Sequence, residues 1–68
     1  MKEKKLKKDI YEFAVKEVLY EHAKRTEIRE RNMLIVGLYA FLSGFTPDIP
    51  MSVAYRFVND VAEDVLKN

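Results

Sequence analysis

Residues 1–36 contain neither glycine nor proline and are rich in Lys, Glu, Leu, Ala and Arg, all good helix formers. Within that stretch apolar side chains fall at Leu6, Ile10, Phe13, Ala14 and Val18, and again at Tyr11, Val15 and Leu19. Steps of three and four are the helical period, so the spacing predicts a helix over about residues 4–25. Its apolar arc covers roughly half the circumference, which predicts more than one packing neighbour. Lys5, Asp9, Glu12 and Lys16 are expected on the opposite side. The pairs Lys8/Glu12, Glu12/Lys16 and Glu21/Arg25 sit one turn apart, where opposite charges support a helix.

The segment from Lys24 to Asn32 carries one apolar residue, Ile28. It reads as a turn with Thr26 or Asn32 capping a second helix, or as an exposed bridge stiffened by Glu27/Arg31. An unbroken rod over residues 4–43 would be about 60 Å long at 1.5 Å per residue, more than one remaining helix can cover. The break is the preferred reading.

Residues 33–43 are apolar on nearly every side: Met33, Leu34, Ile35, Val36, Leu38, Tyr39, Ala40, Phe41 and Leu42. A buried strand competes with a helix for such a run. Only Ile35 and Val36 are β-branched and no second strand is available, so a helix over about 32–43 is expected. An all-round apolar helix belongs at the centre of an assembly. Ser43-Gly44-Phe45 reads as its stop, with Gly44 in the left-handed position and Phe45 folding back on Tyr39 or Ala40. Thr46-Pro47-Asp48-Ile49-Pro50 is a rigid connector, with Thr46 and Asp48 as available caps. A third helix over about 50–66 presents Val53, Ala54, Phe57, Val58, Val61, Ala62 and Val65 on one face, and Arg56, Asn59, Asp60, Glu63 and Lys67 on the other.

The pattern as a whole is an all-α, three-helix chain forming a single domain over 1–68, with residues 1–8 a basic N-terminal arm. A chain of 68 residues buries only about 60% of the surface its unfolded form exposes. It has no cysteine for a disulfide and one histidine, so a Cys/His zinc site is not expected. Self-association is the remaining common source of stability, and a helical homodimer burying residues 33–43 is expected. Met33, Gly37, Ala40, Phe41 and Gly44 are the candidate contacts. Gly37, Ala40 and Gly44 fall on one side of the helix, where small side chains let another backbone approach. That approach could come from a second chain or from the third helix of the same chain.

No catalytic constellation, glycine-rich phosphate loop or cofactor motif can be read. His22 follows Glu21, but Leu19 occupies the place where a di-metal bundle would carry Glu, so His22 reads as a surface or half-buried histidine. With 12 Lys+Arg against 11 Asp+Glu, bulk charge does not hold this chain on a polyanion. Residues 1–9 nevertheless carry net +3, and residues 32–68 net −2. Lys4, Lys5, Lys7 and Lys8, with Arg25 and Arg29, are therefore the candidate phosphate contacts. A helix-turn-helix fits poorly, because the third helix presents Asp60, Glu63 and Asp64 and the connector is long. No signal peptide is expected, since no apolar core follows the basic start, and the ten-residue apolar run is half a membrane span. The expectation is a cytoplasmic, non-enzymatic protein-interaction module without a cofactor, acting as a regulator or inhibitor on another protein. A nucleic-acid-binding regulator and a structural subunit are the alternatives.

Overall fold

The computed structural model describes the backbone of residues 2–67 and the side chains of residues 10–67. Three helices follow in order, α1 (Lys2–Thr26), α2 (Arg31–Phe45) and α3 (Met51–Lys67), and no strand occurs among the described residues. The expected helices are all present. Their bounds move outward by one to two residues at most ends, and residues 2–8 carry the helical backbone of α1.

The break expected between Lys24 and Asn32 falls at residues 27–30. Thr26 ends α1 by turning its hydroxyl back onto the Ala23 carbonyl at 2.9 Å, and accepts the Ile28 N–H at 3.4 Å. Glu27 then takes φ 58°, the left-handed conformation that ends many helices and that usually falls to glycine. A side chain there costs about 1–2 kcal/mol. The cap of α2 is neither Thr26 nor Asn32. Glu30 occupies it with extended backbone, its Oε1 accepting the Met33 N–H at 2.9 Å while its carbonyl accepts the Leu34 N–H at 2.9 Å. A carboxylate at this end also meets the positive pole of the helix. Asn32 lies inside the first turn.

Gly44 does not act as a left-handed stop. It remains helical with an ordinary φ, and α2 continues through Phe45. The helix ends because Thr46 precedes Pro47, and a residue before proline is pushed out of the helical region. Thr46 has φ −136° and ψ 83°, and its N–H reaches the Leu42 carbonyl at 2.7 Å. Thr46 therefore closes α2 and does not open α3. Phe45 stacks on Phe41 one turn earlier, at 6.2 Å between ring centres, and not on Tyr39 or Ala40. The short connector tucks Ile49 against the core, and the Pro50 carbonyl receives the Ala54 N–H to start α3.

Helices α1 and α3 run parallel. Lys16 meets Asp60, Tyr20 meets Asp64 and Glu12 meets Arg56, each pair separated by 44 positions, so both chains advance in the same direction. α2 bridges this pair: Phe41 on one flank stacks on His22 of α1, and Tyr39 on the other stacks on Tyr55 of α3. The core lies beneath α2 and comprises Val15, Leu19 and Ala23, then Leu34, Leu38 and Leu42, then Ala54, Phe57, Val58, Val61 and Ala62. Leucines every fourth residue on α2 form one ridge that seats against the pair. Each fully buried leucine contributes about 1.5–3 kcal/mol relative to an exposed one. Within the protomer α3, not α2, supplies the broadest buried face. α2 buries a single stripe.

Candidate interaction surfaces

The outward face of α2 is apolar as well. Met33 and Val36 are 61% and 67% exposed, and Ala40 and Gly44 lie on the same side with half-buried Gly37. Four of the five residues expected to mediate self-association, Met33, Gly37, Ala40 and Gly44, are thus brought together on one solvent-facing strip. Phe41 is set apart from them. It is half-buried, with its ring 4.1 Å from that of His22 and 8° from parallel. A Cβ built on Gly37 or Gly44 would meet nothing within 4 Å. The glycines therefore do not serve a crossing with α3, and the internal explanation of the small-residue row is excluded.

From Asn32 to Pro47 the chain carries no charged residue, and from Ile49 to Tyr55 none either. The α2 face is continued on α3 by Tyr55, through its stack on Tyr39 at 5.1 Å, and by exposed Met51 one turn before it. Asp48, exposed in the connector, lies between these two uncharged segments, and exposed Arg56 follows Tyr55.

A second apolar face was merged with the core stripe in the sequence pattern. Val15, Leu19 and Ala23 turn inward, whereas Ile10 and Phe13 are 61% and 65% exposed on the opposite side of α1, with Ala14 also exposed. The signal was the second three-and-four register through Ile10 and Phe13. Unlike the α2 strip, this face continues into charge at Glu17, Glu21 and Lys24 along the helix.

The edge between α1 and α3 is polar. Lys16 Nζ lies 3.0 Å from both Glu12 and Asp60, Arg56 lies 3.7 Å from Glu12, and the Tyr20 hydroxyl donates to Asp64 at 2.5 Å. Glu12 and Lys16 thus flank the core and do not face away from it. The Lys16 ammonium and the Arg56 guanidinium also lie 5.8 and 5.3 Å from the centre of the Phe57 ring, within cation–π range. Burial acts to lower the Lys16 pKa, but hydrogen bonds and charge from Asp60 and Glu12 outweigh it and the net shift is upward. The hydrogen bond to Asp64 raises the Tyr20 pKa, with burial adding to it.

Two open depressions adjoin this edge. One of about 390 Å³ is lined by Tyr20, Asp60, Glu63, Asp64 and Lys67, the other of about 360 Å³ by Tyr20, Lys24, Arg29, Asp64 and Val65. Of the candidate phosphate contacts, Arg29 borders the second depression opposite Asp64 and donates to the Ile28 carbonyl at 3.2 Å. Arg25 is exposed in the last turn of α1 and does not line either depression. Lys4, Lys5, Lys7 and Lys8 lie outside the residues whose side chains are described. His22 is half-buried by its stack on Phe41, and among the described residues no group of three metal-ligating side chains is gathered. Among them, too, no helix is long and apolar enough to cross a membrane. No protein-family model, curated protein or solved structure matches this chain.

Proposed function

We propose that this protein is a non-enzymatic helical interaction module that assembles with itself and acts as a regulator or inhibitor by docking on another protein. One observation carries the reading: a chain of 8.0 kDa completes its own core yet leaves two separate apolar helix faces, at Ile10/Phe13 and at Met33/Val36, open to solvent. Isolated exposed apolar residues are ordinary, but grouped ones at helical spacing mark surfaces that associate. The face on α1 fits the heterologous partner. Its apolar centre gives contact area, and the charges that follow it along the helix give selectivity, as a polar rim does around an apolar interface centre.

Affinity capture of the tagged full chain from its native host tests this. The expected result is one stoichiometric protein, lost when Ile10 and Phe13 are replaced by serine while the helical content is kept. Capture unaffected by those changes, or recovery only of nuclease-sensitive material, overturns it.

A further inference from the structure

Charge marks what the exposed face of α1 would meet. α1 has 25 residues against 15 in α2 and 17 in α3, and among the described side chains its first core residue is Val15. Ile10, Tyr11, Phe13 and Ala14 are all exposed and together cover most of a helical turn. Here the helix stands clear of its neighbours except where Glu12 reaches Arg56 at 3.7 Å. A helix bare around most of its circumference can be enclosed by a groove, not only covered by a flat surface. Leu6, Ile10 and Phe13 follow one another at steps of four and three, the spacing of anchors on a groove-binding helix, and Glu17 takes the next place. The apolar line is therefore about 10 Å long at 1.5 Å per residue. Lys2, Lys4, Lys5, Lys7 and Lys8 lead into it, and with Glu3 and Asp9 they give residues 1–9 net +3. Lys2, Lys4 and Lys5 fall in the first turn of α1, at its positive pole, where cations weaken a helix. An acidic partner turns that repulsion into attraction. Glu17 and Glu21, exposed farther along the same face, would repel a phosphate backbone or an anionic bilayer laid along the helix, whereas a groove two turns long ends before them.

We propose that residues 2–14 of α1 are a docking helix for an acidic protein. Leu6, Ile10 and Phe13 are its anchors in a short apolar groove, and the lysines that lead into them pair with carboxylates on the groove's rim. The inference rests on the interaction-module reading and names the chemistry of its partner. The lysines speed encounter and select the partner, and the anchors hold the complex. Binding also shields the lysines that oppose the α1 dipole, so the first turns of α1 gain helical stability in the complex.

Calcium-loaded calmodulin, an acidic protein with an apolar groove for amphipathic helices, is the purified probe, titrated against the labelled full chain by fluorescence anisotropy. Micromolar binding that weakens about tenfold from low to high salt is expected. Ile10→Ser with Phe13→Ser should abolish it. Lys5→Glu, Lys7→Glu and Lys8→Glu together should weaken it by about a hundredfold. Acidic residues favour a helix N-terminus, so circular dichroism of that variant should show helical content kept or raised. Met33→Ser on the outer face of α2 is expected to bind as wild type. No binding to calmodulin, or binding that survives the lysine reversals, overturns the inference. So does tighter binding to vesicles of equimolar phosphatidylserine and phosphatidylcholine, or to duplex DNA, lost with the same reversals. Capture from the native host that is lost with Ile10→Ser and Phe13→Ser but indifferent to the lysine reversals and to salt overturns the acidic partner alone. Capture unaffected by either set of changes overturns the docking reading as well.

Discussion

Helices α2 and α3 are similar in length and both line the core, but they treat their outer faces in opposite ways. α3 buries Ala54, Phe57, Val58, Val61 and Ala62 and turns Arg56, Asp60, Glu63 and Lys67 outward, so its two faces differ sharply in polarity. α2 buries Leu34, Leu38 and Leu42 and turns Met33, Val36, Ala40 and Gly44 outward, so its two faces are alike. The fold accounts for α3 apart from its exposed Met51 and Tyr55, and for only half of α2. An apolar side chain that faces water contributes nothing to folding by burial, so the outer face of α2 adds little to the stability of the protomer.

The comparison can be broken or sharpened by substitution. The largest effect is expected at Leu38, fully buried under α2: Leu38→Ala should lose about 2–5 kcal/mol in denaturant unfolding, whereas Val36→Ala, measured at a concentration where the chain is single, should stay within about 0.5 kcal/mol. Equal losses at the two positions would mean that α2 has no outer face. A smaller gain is expected at the turn that sets α2 against α1. Glu27→Gly relieves the left-handed strain at φ 58° and should raise stability by about 1 kcal/mol, seen as a higher melting temperature. The smallest effect concerns the polar edge of α3. Lys16 and Tyr20 both have raised pKa values in the folded chain, so the protonated forms are the ones the fold favours. Their contribution is fully present below the unfolded values of about 10.5 and 10 and is lost as pH rises through the higher folded ones. Stability should therefore fall above about pH 10, and Tyr20→Phe with Lys16→Met should flatten that fall while changing stability at neutral pH by less than about 1 kcal/mol. A fall that is unchanged in the double variant would place the titrating groups elsewhere.

The helices themselves and the break between α1 and α2 are legible in the residues, because steps of three and four and one poorly apolar segment leave few alternatives. The faces of α3 are legible for the same reason, since charge marks the side that meets water. On α2 no charge marks either side, and only packing decides that Leu34, Leu38 and Leu42 turn inward while Met33 and Val36 turn out. α1 carries two apolar registers, one through Val15 and Leu19 and one through Ile10 and Phe13, and a single wide arc conceals that they serve different surfaces. The local miss at Gly44 has a simple cause: Pro47 ends the helix from outside, so no glycine stop is needed. Glu30 escaped notice as a cap because its longer side chain is a less common choice there than Ser, Thr, Asp or Asn.

The parallel alignment of α1 and α3 has a kinetic consequence. Two neighbouring helices in a hairpin can pair as soon as their turn forms, but Lys16 and Asp60, like Tyr20 and Asp64, are separated by 44 positions of chain. Closing so long a span costs entropy before any contact repays it, and each doubling of span adds about 0.6 kcal/mol. α2 and its connector must already be placed across the gap for α3 to return alongside α1. The polar edge therefore forms late in folding, and substitutions at Lys16, Tyr20, Asp60 and Asp64 should speed unfolding while leaving the folding rate nearly unchanged.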